Sequence, residues 1–421
     1  MTATAHPAVA AAAISADGFP ASLVRERARQ GAAAVFPDVR EYGTSLYGAP
    51  GAADMGDLLD RARLVPPVFM PGRLAELVEL GREPLYDDVR LRVYLGGFAS
   101  ALPLYVSAFG STQVASRDLG EAVGRQAGHL GIPMVIGENV VPVNGYRSTA
   151  SDGLSPLLSR IRAYAEAVGE GMGGVAVQQS TEDADAEVWN QVYSDPGCAS
   201  LLDSGRLAFE LKVGQGAKPG LGGMTVLGEE AAGRVAELYA TDAVFPGRGV
   251  LRSSAPGTFT EEILRQQIRL MRNNFPRAKV WVKLHPGRDV DLAARTAWEA
   301  GADAVTVDGA EGGTGWAPTG FLSHVGLPLG ECLNRIGHTP HCLLASGRMW
   351  EGSRVLKALA LGASGAGLGR AAIIAAAEDT ESGLVRLVES IAMELRMLLS
   401  ALGRYDVESL SREDLWTPAQ A

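Results

Sequence analysis

From about residue 100 onward the chain repeats one unit, a short apolar run followed by a stretch with helical periodicity. The runs are Leu102–Ala108, Pro133–Gly137, Gly174–Gln178, Leu207–Val213, Lys279–Leu284, Ala302–Val307, Cys342–Ala345 and Gly365–Leu368. The helical stretches are 117–130, 154–170, 182–192, 229–240, 261–274, 289–300, 321–336 and 351–361. Near-continuous apolar strands suit a parallel sheet covered on its faces by helices. Eight such runs interleaved with helices predict an α/β fold, a (β/α)8 TIM barrel over residues 96–400. A doubly wound sheet is the alternative, and the lack of a GxGxxG after the first run speaks against it. Residues 1–95 are Gly/Pro/Ala-rich, with helical patches near 21–34 and 74–81, and are expected to form an arm packed on the barrel. Residues 401–421 read as a polar, mobile tail, and 241–260 as a long polar loop of the lid or binding type.

The chain has 421 residues, of which 47% are hydrophobic and only 20% charged, with 52 glycines. That balance fits a compact, loop-rich enzyme rather than a disordered or fibrous chain. The net charge of −10 and the absence of a basic stripe speak against a nucleic-acid partner. No apolar run is long enough to span a bilayer, and the alanine-rich start lacks the basic segment of a signal peptide. Cys198, Cys332 and Cys342 are too few and too scattered for a disulfide framework or a CxxC metal site. A cytoplasmic protein is expected.

In a barrel of this kind, chemistry sits at the C-terminal strand ends. Read in order, these ends carry Ser107, Ala108 and Gly110; Glu138; Gln178 and Gln179; Lys212 and Lys218; Lys283 and His285; Gly312, Gly313, Thr314 and Gly315; Ser346, Gly347 and Arg348; and Gly369 and Arg370. Lys212 closes an apolar run that opens into the glycine-rich loop of LKVGQGAKPGLGG, residues 211–223. A lysine at a buried strand end calls for an anion or an electron-rich ring. The last two units place Gly347-Arg348 and Gly369-Arg370 where barrels commonly bind phosphate. His285 reads equally well as an acid–base group or as a solvated loop residue.

These motifs carry a resemblance. LKVGQGAKPGLGG at 211–223, VWVKLHPGRD at 280–289, VDGAEGGTGWAP at 307–318 and HVGLPLGECLNRI at 324–336 resemble the FMN-binding synthase domain of glutamate synthase and its stand-alone relatives. Weaker matches are SAFG at 107–110, GEN at 137–139 and VQQS at 177–180, and the likeness covers roughly residues 60–375. It implies FMN, with its phosphate over Gly347, Arg348, Gly369 and Arg370. It implies that the ring lies against Ser107, Ala108 and Gly110, with Gln178 or Gln179 and Lys212 at its polar edge. The glycine-rich block Gly312, Gly313, Thr314 and Gly315, together with Ser346, would complete the cofactor contacts. It places an amino, imino or 2-oxo acid near Glu138, Lys218 and Lys283.

The departures matter too. The region after the eighth run, GLGRAAIIAAAEDTESG, has no cysteine cluster for iron and sulfur, and the start MTATAHP does not resemble a glutaminase. Ala345-Ser346-Gly347 stands where the family has Asp-Gly-Gly, and His285 where it has an apolar residue. The resemblance therefore implies an FMN oxidoreductase, with NAD(P)H, dioxygen or a redox protein as electron donor or acceptor. A synthase subunit of a multi-chain complex and a non-redox phosphate-ligand barrel are the alternatives. Association into a homo-oligomer is compatible with either enzyme reading.

Overall fold

A computed structural model describes residues 14, 16, 18–35, 57–109, 117–137, 156–180, 186–214, 216, 219–222, 224–237, 239–242, 250–253, 258–313, 321 and 324–417. Eight parallel strands close into a barrel: β1 Leu104–Phe109, β2 Met134–Ile136, β3 Val175–Ser180, β4 Leu207–Lys212, β5 Lys279–Leu284, β6 Ala304–Asp308, β7 Leu343–Ser346 and β8 Gly365–Leu368. Each pairs with its neighbours in sequence, and β8 pairs with β1. Among the described residues the helices are α1 Ala21–Gln30, α2 Leu58–Arg61, α3 Pro71–Leu80, α4 Arg117–Leu130, α5 Pro156–Ala167, α6 Ala186–Ser194, α7 Ala199–Asp203, α8 Glu229–Val235, α9 Glu261–Asn274, α10 Val290–Glu299, α11 Leu329–Ile336, α12 Gly352–Ala360, α13 Arg370–Glu378 and α14 Gly383–Ala401.

Local signals account for several of these elements. Thr260 caps α9 by accepting a 3.2 Å hydrogen bond from the Ile263 N–H, and Glu261 and Glu262 favour the positive end of the helix dipole. On α4, Gly120, Gly124 and Gly128 recur every four residues and so share one face. A Cβ at Gly128 would lie 2.6 Å from the Tyr164 carbonyl, and one at Gly124 would lie 3.0 Å from that of Arg160. The glycine stripe therefore sets how closely α4 packs on α5.

Side chains alternate between the barrel lumen and the helix layer, as strands require. The lower lumen is filled by Tyr105, Val135, Ala176, Ala208, Trp281, Ala304 and Leu344, which form a cluster separate from the main core. A hairpin, Val93–Leu95 with Phe98–Ser100, closes that end. Trp281 is fully buried; its Nε1 donates to the Gly96 carbonyl at 3.0 Å, and its ring lies 5.3 Å from Phe98. Gly96 adopts φ +56°, and a Cβ there would sit 2.4 Å from the indole, so this turn excludes any side chain.

Three expectations need correction. The stretch 229–240 is a helix only to Val235. Strand Ala240–Asp242 then joins Val250–Ser253 and Met224–Leu227 in a three-stranded antiparallel sheet, so parts of the expected 241–260 loop are paired strand. After β8 come α13 and α14; periodicity does not single out α13, because RAAIIAAAE is apolar all round and buries accordingly, whereas α14 does bury one face at helical spacing, through Leu384, Leu387, Val388, Ile391, Leu395 and Leu399. The described residues after 401, up to 417, are also not loose. Tyr405 is buried, Arg404 pairs with Asp414 at 3.2 Å, and Leu415–Trp416 pairs with Arg63–Leu64 of the arm. No helix among the described residues is long and apolar enough to cross a membrane.

Candidate active site

The upper lumen is polar, in contrast to the floor. Glu210 of β4 is buried and accepts hydrogen bonds from the Gln178 amide and, at 2.9 Å, from the Thr306 hydroxyl. Burial pushes its carboxyl pKa up, with the nearby Lys283 opposing. Lys283 of β5 pairs with Asp308 of β6 at 2.9 Å, both side chains being almost wholly enclosed. The other Asp308 oxygen, Oδ1, is buried without a hydrogen-bond partner. Lys212 ends β4 half-buried, in register with Lys283 on one side and Ser180 on the other. Gln179 is buried and its amide donates to the Gln178 carbonyl at 2.8 Å.

On the far side, the hydroxyls of Ser107 and Ser346 meet at 2.9 Å across β8. The glycines of β8 allow this crossing. A Cβ at Gly367 would lie 2.6 Å from the Tyr105 ring and 3.1 Å from Ser107 Cβ. Ala108 is half-buried beside Ser107.

The glycine-rich loop after β4 is shaped by close approach of protein to protein. A Cβ at Gly214 would meet His285 Nδ1 at 2.6 Å, and one at Gly216 would meet the Gly309 carbonyl at 1.9 Å. The Gly216 N–H also donates to Asp308 at 3.4 Å. His285 is therefore wedged between Gly214 and Gly287, and burial lowers its pKa, with Asp289 opposing. Its burial favours the neutral imidazole.

The loops after β6, β7 and β8 meet nearby. The Gly309 N–H donates to the Ser346 carbonyl and the Gly312 N–H to the Gly309 carbonyl, both at 2.9 Å. Gly313 leaves room for Arg370, whose guanidinium donates to the Glu311 carbonyl at 2.7 Å and stacks 4.6 Å from the Phe19 ring. Gly347 adopts φ +142° and Arg348 φ +54°, the latter among the described residues the one non-glycine in the left-handed region. Arg348 pairs with Asp60, while its Nε is buried without a partner. Gly369 opens α13 without a side-chain cap.

Behind these loops lies a buried ionic cluster. Arg354 of α12 is 2% exposed and reaches Asp57 and Asp60 at 2.7 Å and Glu311 at 2.6 Å. Burial and the neighbouring Asp57 push the Glu311 carboxyl up to about 8. An acid with a raised folded-state pKa binds its proton more tightly when folded. Its stabilising contribution is complete below the ordinary carboxylate range and is lost as pH rises through about 8. Glu311→Gln should therefore remove part of the decline in melting temperature between pH 5 and pH 8.5 (roughly the span between the two pKa values). Parallel native and variant curves would show that Glu311 does not carry that proton.

The structure thus brings Ser107, Ala108, Gln178, Gln179, Lys212, Lys283, His285, Gly312, Gly313, Ser346, Gly347, Arg348, Gly369 and Arg370 to one end of the barrel. Gly110, Glu138, Lys218, Thr314 and Gly315 lie outside the described residues. Sequence reasoning places Asp308 and Glu311 at the sixth strand end without a role, and does not single out Glu210, Asp57, Asp60 or Arg354 as site residues. Glu210 carried a signal, a carboxylate inside an apolar strand. Asp57 and Asp60 carried none, because their partners lie some 300 positions along the chain.

Residues 159–380, just over half of the chain, match the family model described as the conserved region in glutamate synthase. The chain belongs to the glutamate synthase family. The archaeal glutamate synthase [NADPH] of Methanocaldococcus jannaschii is 35% identical over 179 residues, which are 40% of this chain and 34% of that protein. The matched part is thus about a third of that relative's length. Among solved structures, a soluble mutant of the membrane-associated (S)-mandelate dehydrogenase from Pseudomonas putida superimposes with a TM-score of 0.56 at 19% identity, covering 96% of this chain and all of that one. A mandelate oxidase mutant solved with a monooxide FMN adduct gives a TM-score of 0.52 at 19% identity, over 94% of this chain and 99% of that one. These two likenesses are likenesses of fold.

Proposed function

We propose that this glutamate synthase family member binds FMN across the C-terminal strand ends and is an oxidoreductase acting on an amino, imino or 2-oxo acid. The observation that carries this reading is the pair Arg348 and Arg370, two half-buried arginines at the ends of β7 and β8, one with a buried, orphaned Nε. A buried donor without a partner is costly, and a phosphate monoester would satisfy it. The uncapped start of α13 at Gly369 adds backbone N–H groups suited to the same anion.

The remaining assignments follow from position. Ser107 and Ala108 would lie against the ring, with Gln178, Gln179 and Lys212 along its polar edge. Gly312, Gly313, Thr314, Gly315, Ser346, Gly347 and Gly369 would let the backbone approach the cofactor closely. Lys283, held by Asp308, would keep a cation at the substrate side of the site, and Lys212 would supply one at the ring's edge, where negative charge gathers on reduction. FMN, when bound, supplies reversible hydride exchange with the substrate's α-carbon. Neutral His285 is suited to taking up a proton from a substrate ammonium. Lys218 suits a substrate carboxylate, and Glu138 a proton on the imine nitrogen.

Purified protein is expected to carry visible flavin absorbance, or to gain it on titration with FMN, and the bound flavin should bleach with a reducing amino acid. A colourless protein that takes up no FMN would rule out the redox reading and favour a barrel for a different phosphate ligand.

A further inference from the structure

Arg348 is held in an unusual state. Its backbone is in the left-handed region, which disfavours side chains with a Cβ. Its side chain pairs with Asp60, which belongs not to the barrel but to α2 of the N-terminal arm. Asp60 uses both oxygens: Oδ2 takes Arg348, and Oδ1 takes Arg354 at 2.7 Å. α2 is itself anchored from two sides. Asp57 accepts from Arg354 at 2.7 Å and from the Gly330 N–H at 3.0 Å, and Lys357 donates to the Leu59 carbonyl at 2.9 Å. The carboxylate facing Arg348 thus has a fixed place.

Arg348 and Arg370 stand just past the ends of adjacent strands, β7 and β8, which pair in register up to Ser346 and Gly367. The Arg370 pKa is lowered, mainly by burial and then by Arg348. Two like charges at neighbouring strand ends, one of them with a spare buried donor, are an arrangement that an anion relieves. Without Asp60, Arg348 would lose the carboxylate that fixes its side chain.

We propose that Asp60 is a positioning residue for the phosphate end of the cofactor site, holding Arg348 beside Arg370 so that the arm confers preference for a phosphorylated flavin. This rests on the FMN reading above. Asp60 itself touches no cofactor; it acts through Arg348, and the arm is thereby part of the binding machinery.

The test is flavin affinity, read by quenching of flavin fluorescence, for FMN and for riboflavin, which lacks the phosphate. Asp60→Asn should weaken FMN about tenfold, the weight of one charge-assisted hydrogen bond, and leave riboflavin within about twofold. Arg348→Gln should do the same, and adding Asp60→Asn to it should cost little more, because the two act as one unit. Asp60→Glu, which keeps the charge, should recover part of the loss. FMN affinity unchanged in Asp60→Asn, or an equal loss for riboflavin, would overturn the proposal, as would additive losses in the double variant. If Asp60→Asn does not fold, Arg348→Gln in the intact arm still decides: equal FMN and riboflavin affinity changes would sink it. Native protein that binds neither flavin would instead overturn the FMN reading on which the proposal stands, whereas native binding of both with equal affinity would overturn only the role of the arm.

Discussion

Arg354→Met is expected to lower folding stability by about 3–5 kcal/mol, the cost of leaving buried charge without its partner. Arg354 is 2% exposed and meets the carboxylates of Asp57 and Asp60 at 2.7 Å and the Glu311 carboxyl at 2.6 Å, while its guanidinium also reaches the Gly347 carbonyl at 3.4 Å. Methionine matches much of the side chain's length but offers no donor. Asp57, Asp60 and Glu311 would then face one another in a medium that screens poorly. The effect is distinct from that of an exposed pair. Arg295 and Asp291 are neighbours on one helix at 3.1 Å and largely solvated, so Arg295→Met should cost under about 1 kcal/mol. Urea unfolding of the two variants side by side makes the comparison. Pairing Arg354→Met with Asp57→Asn should return part of the loss, because one unpaired charge is removed. A loss below about 1 kcal/mol for Arg354→Met would mean that water enters the cluster and screens it.

Trp281→Ala is expected to cost a similar 3–5 kcal/mol, the usual range for removing a buried large aromatic. The indole fills the barrel floor and packs on Phe98 at 5.3 Å. Its Nε1 also ties the hairpin to the lumen through the Gly96 carbonyl at 3.0 Å. Alanine would leave a cavity bounded by a rigid barrel on one side and a tight glycine turn on the other, so little collapse can fill it. Trp281→Phe should recover much of the packing and lose mainly the hydrogen bond, a cost of about 0.5–1.5 kcal/mol. Chemical denaturation would test both. An alanine variant within 1 kcal/mol of the native protein would show that the hairpin, rather than the tryptophan, seals the floor.

The barrel was legible in the sequence because its signal is local and repeated. Lys279–Leu284 and Gly365–Leu368 coincide with β5 and β8, and 117–130 and 261–274 with α4 and α9. What was misread lacked such a signal. α13 is apolar on every side, so no period marks it. The strands between 224 and 253 gain their identity from pairing with one another. Residues 402–417 are held by partners distant in sequence, Leu415–Trp416 pairing with an edge some 350 positions earlier.

The site divides along the same line. The order of strand ends, read from sequence alone, assigned Lys212, Lys283, Arg348 and Arg370 to one face, because every parallel strand of a barrel delivers its C-terminal end to the same side. The glycines of 211–223 were legible as positions of close approach, but only the tertiary structure showed that His285 and Gly309 are what approach two of them. Lys283 was legible as a cation at a strand end; its enclosure with Asp308 was decided by barrel closure, which sets β5 beside β6. The Arg354 cluster was decided wholly in three dimensions. Charges distant in sequence can share a buried pocket only after the arm has folded over the barrel, and no local pattern of residues encodes that meeting.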